Sequence, residues 1–198
     1  MKKFLCMTVI VFCVFSVSAS VFADSKTYVF RKRAEWVKLV KLSNKQMGGQ
    51  VLLHPHTAVS VKTMTDILSG LKMNKAQGLK KGFKTNEVFS SEEAQKYAPF
   101  IVQALGQAGP NQVVNVSVVH KRPYFMVRHD YLSLINVYVK DDGIHFYFSK
   151  LFARLDGDYE QASRIYESIR KAKSLRVSLA PQSGQIISSD GNELVVRP

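Results

Sequence analysis

Cysteine is nearly missing from this chain of 198 residues: there are two, Cys6 and Cys13, both close to the start. Downstream of them no disulfide framework is available, so the remainder must fold on burial alone, and its length is ample for one domain with a real core. Acidic residues are scarce as well, 15 Asp and Glu against 28 Lys and Arg, for a formal net charge of +13. Several motifs are also missing. Neither GxxxxGK[ST] nor GxGxxG occurs, which excludes the usual glycine-rich cradles for nucleotide phosphates, and no cofactor is expected. No HExxH helix and no GxSxG elbow occur, which removes the plainest metalloprotease and serine-hydrolase readings. There is no internal repeat and no low-complexity stretch.

What is present begins with Met1-Lys2-Lys3 and then twenty residues without a charge, Phe4 to Ala23. A basic start, an apolar middle and a small-residue end have the form of a secretory signal peptide covering residues 1–23. Val21-Phe22-Ala23 places cleavage before Asp24, with Ala19 as a second candidate. Neither cysteine ends the apolar run as a lipid-modified one would. Residues 24–198 then form a single domain carrying 26 Lys and Arg against 15 Asp and Glu, a net +11. Such a surplus suits anionic lipid, lipopolysaccharide or an acidic cell-wall polymer; export argues against nucleic acid.

The clearest architecture lies between Glu87 and Val119. Ser90 and Glu93 have the spacing of a capping box, and Ala94, Tyr97, Ala98, Ile101 and Leu105 recur as a helical stripe. Gly106, Gly109 and Pro110 stop that helix, and Val114, Val116 and Val118 alternate with polar residues as a strand. An earlier helix is read from the Ser60 cap and the stripe Val61, Met64, Ile67, Leu68 and Leu71. A third is read from an Asp158 cap through Tyr159, Ala162, Ile165, Tyr166, Ile169 and Ala172. Lys121-Arg122-Pro123 is expected to break the strand, with a new one starting at Tyr124. Asp142-Gly143 is the best hairpin turn, and it would set Val139 opposite Phe146 and Val137 opposite Phe148. Short strands at Leu175–Leu179, Gln185–Ile187 and Glu193–Arg197 close the chain. The expected fold is α+β: an antiparallel β-meander with about three amphipathic helices packed on it, in the order β-β-α-α-β-β-β-β-α-β-β.

Two basic stretches are candidate anion contacts. Residues 24–49 interleave aromatics with Arg31, Lys32 and Arg33, and read as an edge strand whose charges discourage pairing with other chains. Lys72, Lys75, Lys80, Lys81 and Lys84 follow without an acidic residue between them and read as a flexible loop. His54-Pro55-His56, expected at a strand end, has the spacing of two metal ligands, yet no third ligand accompanies it. His129-Asp130 could be half of an acid–base relay, but an ordinary turn is the simpler reading.

The segments Val88-Phe89-Ser90-Ser91-Glu92-Glu93, Ala98-Pro99-Phe100 and Ala108-Gly109-Pro110 together resemble uncharacterised proteobacterial envelope proteins that share a helix-GP-strand core followed by a strand-rich half. The resemblance covers roughly residues 50–150, implies an envelope location, and transfers no activity and no functional residue. The expected function is therefore a non-enzymatic exported envelope or interaction protein with a basic surface. The alternatives are a secreted factor acting on a foreign acidic target, membrane or nucleic acid, and a hydrolase using the scattered histidines.

Overall fold

Strand alternation at Trp36-Val37 shows how the molecule is layered: Trp36 packs into one apolar cluster and Val37 into another, on opposite faces of the same sheet. The computed structural model describes residues 26–77, 82–124, 127–155, 159 and 163–197. The expected leader, Lys80, Lys81, the Asp156-Gly157-Asp158 turn and Ala162 lie outside the described residues. Seven antiparallel strands form the main sheet: β1 (Lys26–Lys32), β2 (Glu35–Lys41), β5 (Gln112–Tyr124), β6 (Val127–Lys140), β7 (Gly143–Arg154), β9 (Gln185–Ile187) and β10 (Glu193–Val196). Their order across it is β1-β2-β5-β6-β7-β10-β9. A second sheet is made of β3 (Lys72–Ala76), β4 (Phe83–Glu87) and β8 (Val177–Leu179), in the order β4-β3-β8.

Helices α2 (Val61–Gly70) and α3 (Ser91–Gln107) cover the Val37 face. The α3 capping box forms as its spacing predicts, with Glu93 N–H donating to Ser90 Oγ at 3.3 Å and Ser90 N–H to Glu93 Oε2 at 2.9 Å. Its stripe of Ala94, Tyr97, Ala98, Ile101 and Leu105 is buried as expected, with Ala104 added. In α2, Met64, Ile67 and Leu68 are buried, but Val61 in the first turn is 44 % exposed and leaves the stripe. The short helix α4 (Ile165–Lys171) lies on the Trp36 face, so the helices occupy both faces of the sheet rather than one. Ile165, Ile169 and Ala172 are buried there, while Tyr166 is 57 % exposed. A single turn, α1 (Asn44–Met47), was not expected, although Ser43 and Gln46 form a capping box of their own. The α+β class with an antiparallel sheet holds.

Four local expectations are corrected. Residues 72–76 and 83–87 are strands, not one loop. Their polar sequence hides the pairing, because only Met73 on β3 is buried and β3 pairs on one side with distant β8. The break at Lys121-Arg122-Pro123 does not occur. β2 pairs with β5 only as far as Ser117, so Pro123, which has no N–H to give, lies where no second ladder calls for one. Val51–Leu53 is not a strand; the segment is tied by Leu53 N–H to Val139 O and His56 N–H to Leu105 O, both 2.9 Å. Finally, Val139 faces Ile144 and Val137 faces Phe146, with Lys140 opposite Gly143. The turn is Asp141-Asp142, one residue earlier than expected. The shift is two pairing steps, so every side chain keeps its face. Gly143 has φ +145°, and a Cβ there would stand 2.6 Å from the Val196 carbonyl on β10. A close neighbouring strand, rather than the turn centre, is what requires glycine.

Candidate anion-binding site

The β1–β2 turn, the first turn of α3 and the far end of β5 meet around a cavity of about 290 Å³. Arg33 makes the turn with φ +54°, and Ser117 Oγ on β5 donates to the Ala34 carbonyl at 2.7 Å, pinning the hairpin to the sheet. Beyond that point β5 runs on without β2 beside it, so Lys121 and Arg122 reach the same space. Lys32 and Arg33 line it from the hairpin and Lys96 from α3. Five cations therefore surround one cavity. Three carboxylates, Glu35, Glu92 and Glu93, share its lining.

Two of those carboxylates are occupied. Glu35 accepts from Lys96 Nζ at 2.9 Å and from the Tyr97 hydroxyl at 2.5 Å. Burial and the Glu35 carboxylate together push the Tyr97 hydroxyl well above the ordinary tyrosine range, so it stays a donor. Glu93 Oε2 takes three donors: Ser90 N–H at 2.9 Å, His120 Nδ1 at 3.1 Å and Arg122 Nη2 at 2.9 Å. Burial alone would raise the Glu93 carboxyl, but the bonds from His120 and Ser90 and the charge on Arg122 hold it at about 2. His120 is fully buried, and burial lowers its pKa, which keeps the ring neutral. A neutral ring has one donor nitrogen. With Nδ1–H given to Glu93, Nε2 accepts from Ser133 Oγ at 2.9 Å.

Ser133 Oγ in turn accepts from Phe152 N–H at 3.2 Å. Phe152 has φ +48°, rare for a bulky residue, and stands where the β6–β7 register slips between Leu132 and Ile135. Its ring stacks on His120 with centroids 4.3 Å apart. Thus α3, β5, β6 and β7 are joined by one chain of bonds ending at Arg122. Glu93, His120 and Ser133 have the order of an acid–base–nucleophile triad. However, Ser133 and His120 have 0 % of their surface exposed, and neither lines this cavity or the neighbouring one at Lys75. What the arrangement does is fix Glu93, and through it the Arg122 guanidinium at the cavity wall.

The basic residues singled out from sequence are divided by the fold. Lys32 and Arg33 enter the cavity, whereas Arg31 lies over the Tyr28 ring at 4.7 Å. Lys72 pairs with Glu87 at 3.1 Å. Lys75 sits 5.3 Å over the Tyr131 ring, in a smaller cavity of about 170 Å³ that Arg122 also lines. Lys84 is exposed on β4. Lys96, Lys121 and Arg122 were missed; the only trace of them was the charge pair read as a strand break.

His54, His56 and His145 do not line this cavity. His54 is 8 % exposed, and neither ring nitrogen has a hydrogen-bond partner among the described residues. Burial, with nearby His56, lowers its pKa to about 4. His56 lines a separate cavity of about 420 Å³ with Asp141, Asp142 and Arg197, but that lining has no serine, threonine or cysteine. His145 Nε2 and Nδ1 face Asp142 at 2.8 Å and Glu193 at 2.7 Å. The bond to His145 holds the Asp142 carboxyl below its usual range. Asp130 is a buried strand residue bonded to the Tyr159 hydroxyl, not a turn residue. Among the described residues no group of three His, Cys, Asp or Glu is placed to hold a metal ion. No family model matches the chain, and searches of curated proteins and of solved structures gave no match.

Proposed function

We propose that the protein is an exported, non-enzymatic envelope protein that holds an anionic partner against Lys32, Arg33, Lys96, Lys121 and Arg122. The observation that carries this reading is an imbalance at the cavity. Glu35 and Glu93 are filled by internal donors, whereas the Lys32 and Lys121 ammonium groups make no hydrogen bond or ion pair among the described residues. The hydrogen-bonding capacity left open is therefore mainly that of donors, and Glu92 is the one acidic lining group without an internal ion pair among the described residues. Phosphates or carboxylates of anionic lipid, lipopolysaccharide or a cell-wall polymer fit that demand. The leader-like residues 1–23 support export. Among the described residues no helix is long and apolar enough to cross a membrane.

Inorganic tripolyphosphate is a suitable soluble probe. Calorimetry should give binding that weakens about tenfold in the Lys32→Gln/Lys121→Gln variant and fades as salt rises, with no change in melting temperature. Equal binding by the variant, or none by the wild type, overturns the reading.

A further inference from the structure

The cavity at the β1–β2 turn is not the end of the basic surface. Arg122 lines it and also lines the smaller cavity beside β3, where Lys75, Asn86 and Tyr131 stand. Past Lys75 the surface continues to Lys84, its direct cross-strand partner in the β3–β4 register. Directly opposite residues of an antiparallel pair point to the same face, so the two lysine side chains leave the sheet side by side. Like charges in that position are destabilising, and neither lysine makes an ion pair among the described residues. Further along the same ladder, Lys72 faces Glu87 and pairs with it, so the sheet does use complementary charge elsewhere.

We propose that Lys32, Lys121, Arg122, Lys75 and Lys84 form one continuous track for a linear polyanion, a flexible acidic glycan or phosphodiester chain of the cell envelope. This rests on the anion-binding reading above and extends it from a single group to a repeating one. Three features favour a chain. The cations come from four elements, β1, β5, β3 and β4, spread over both sheets. Arg122 is held from behind by Glu93, so it can serve as a fixed central contact. The lysines at either end are unpaired among the described residues and free to follow an irregular charge spacing. A base-stacking ligand is disfavoured, because the aromatic faces along the track are already taken: Lys75 covers Tyr131, and Phe152 is buried against His120. Four acids line the two cavities: Glu35 and Glu93 are filled by internal donors, Glu87 is neutralised by Lys72, and Glu92 near the turn is the one without an ion pair among the described residues.

The test compares long-chain inorganic polyphosphate with tripolyphosphate on the full chain and two double variants. Lys75→Gln/Lys84→Gln should weaken the long chain about tenfold, flatten its salt dependence by about two counter-ions and leave tripolyphosphate binding unchanged. Lys32→Gln/Lys121→Gln should weaken both probes. Glu92→Gln, which removes a bordering acid, should strengthen both and serves as a gain-of-binding control against misfolding. If the Lys75/Lys84 variant binds the long chain as the wild type does, the track is overturned while the single-anion reading stands. Loss of both probes from the wild type overturns both. Tighter binding of a single-stranded oligonucleotide than of polyphosphate of equal charge overturns the choice of ligand class.

Discussion

His120 lies in the main sheet with both ring nitrogens hydrogen-bonded, whereas His54, on the irregular stretch between α1 and α2, is buried with neither nitrogen bonded among the described residues. The first is surrounded by elements that each supply a partner: Glu93 from α3, Ser133 from β6 and the ring of Phe152 from β7. The second sits on a segment that two backbone bonds, to Val139 and Leu105, tie to the sheet and to α3, with Val51 nearby 75 % exposed. Burying a polar group costs little when its partners are built in and costs about 1–3 kcal/mol when they are not. The difference teaches where this molecule is specified. The end of the sheet under the basic cavity is held by a closed network, and the loop carrying His54 is covered without being specified.

The largest expected effect comes from opening the closed network. His120→Leu should cost about 3 kcal/mol in urea unfolding, because the buried Ser133 hydroxyl loses its acceptor and the half-buried Glu93 loses one of its three donors. A loss below about 1 kcal/mol would show that the network satisfies groups without holding the fold.

An intermediate effect should appear in acid, where the two sites separate. The Glu93 carboxyl sits at about 2 instead of 4.5, so its stabilisation is whole above the ordinary value and drains as pH falls from 4.5 toward 2. His54 at about 4 instead of 6.5 loses stabilisation earlier, as the unfolded chain takes a proton that the buried ring refuses between pH 6.5 and 4. His120 shifts in the same direction as His54. Stability measured across this range should fall in two stages, with Glu93→Gln reducing the lower stage and His54→Leu shrinking the upper one. A single stage untouched by either change would erase the contrast.

The smallest effect is expected for His54→Leu at pH 7. Removing an unpartnered imidazole should leave stability within about 1 kcal/mol of the wild type, or raise it. A loss as large as that of His120→Leu would mean that His54 has a partner worth as much.

Legibility followed the range of the interaction. Ser90 and Glu93 are three residues apart and their capping box could be read directly, as could the stripe from Ala94 to Leu105. The β6–β7 hairpin was legible in its faces but not its register, because the constraint on Gly143 comes from Val196 on another strand. Lys72 to Lys84 looked like loop because the partner strand β8 arrives about a hundred residues later, with only Met73 to mark a buried side.

By itself, the sequence determined the α+β class, the bodies of α2 and α3, the cap of α3 and the excess of positive charge. These rest on periodicity, short-range hydrogen bonding and composition, which need no knowledge of distant neighbours. Only the tertiary structure decided that Lys32, Arg33, Lys96, Lys121 and Arg122 share a cavity and that Glu93 meets His120 across 27 residues. Only it decided that Glu35 meets Tyr97 across 62. Such meetings depend on strand order and register, and these are set by how the whole chain buries its apolar faces.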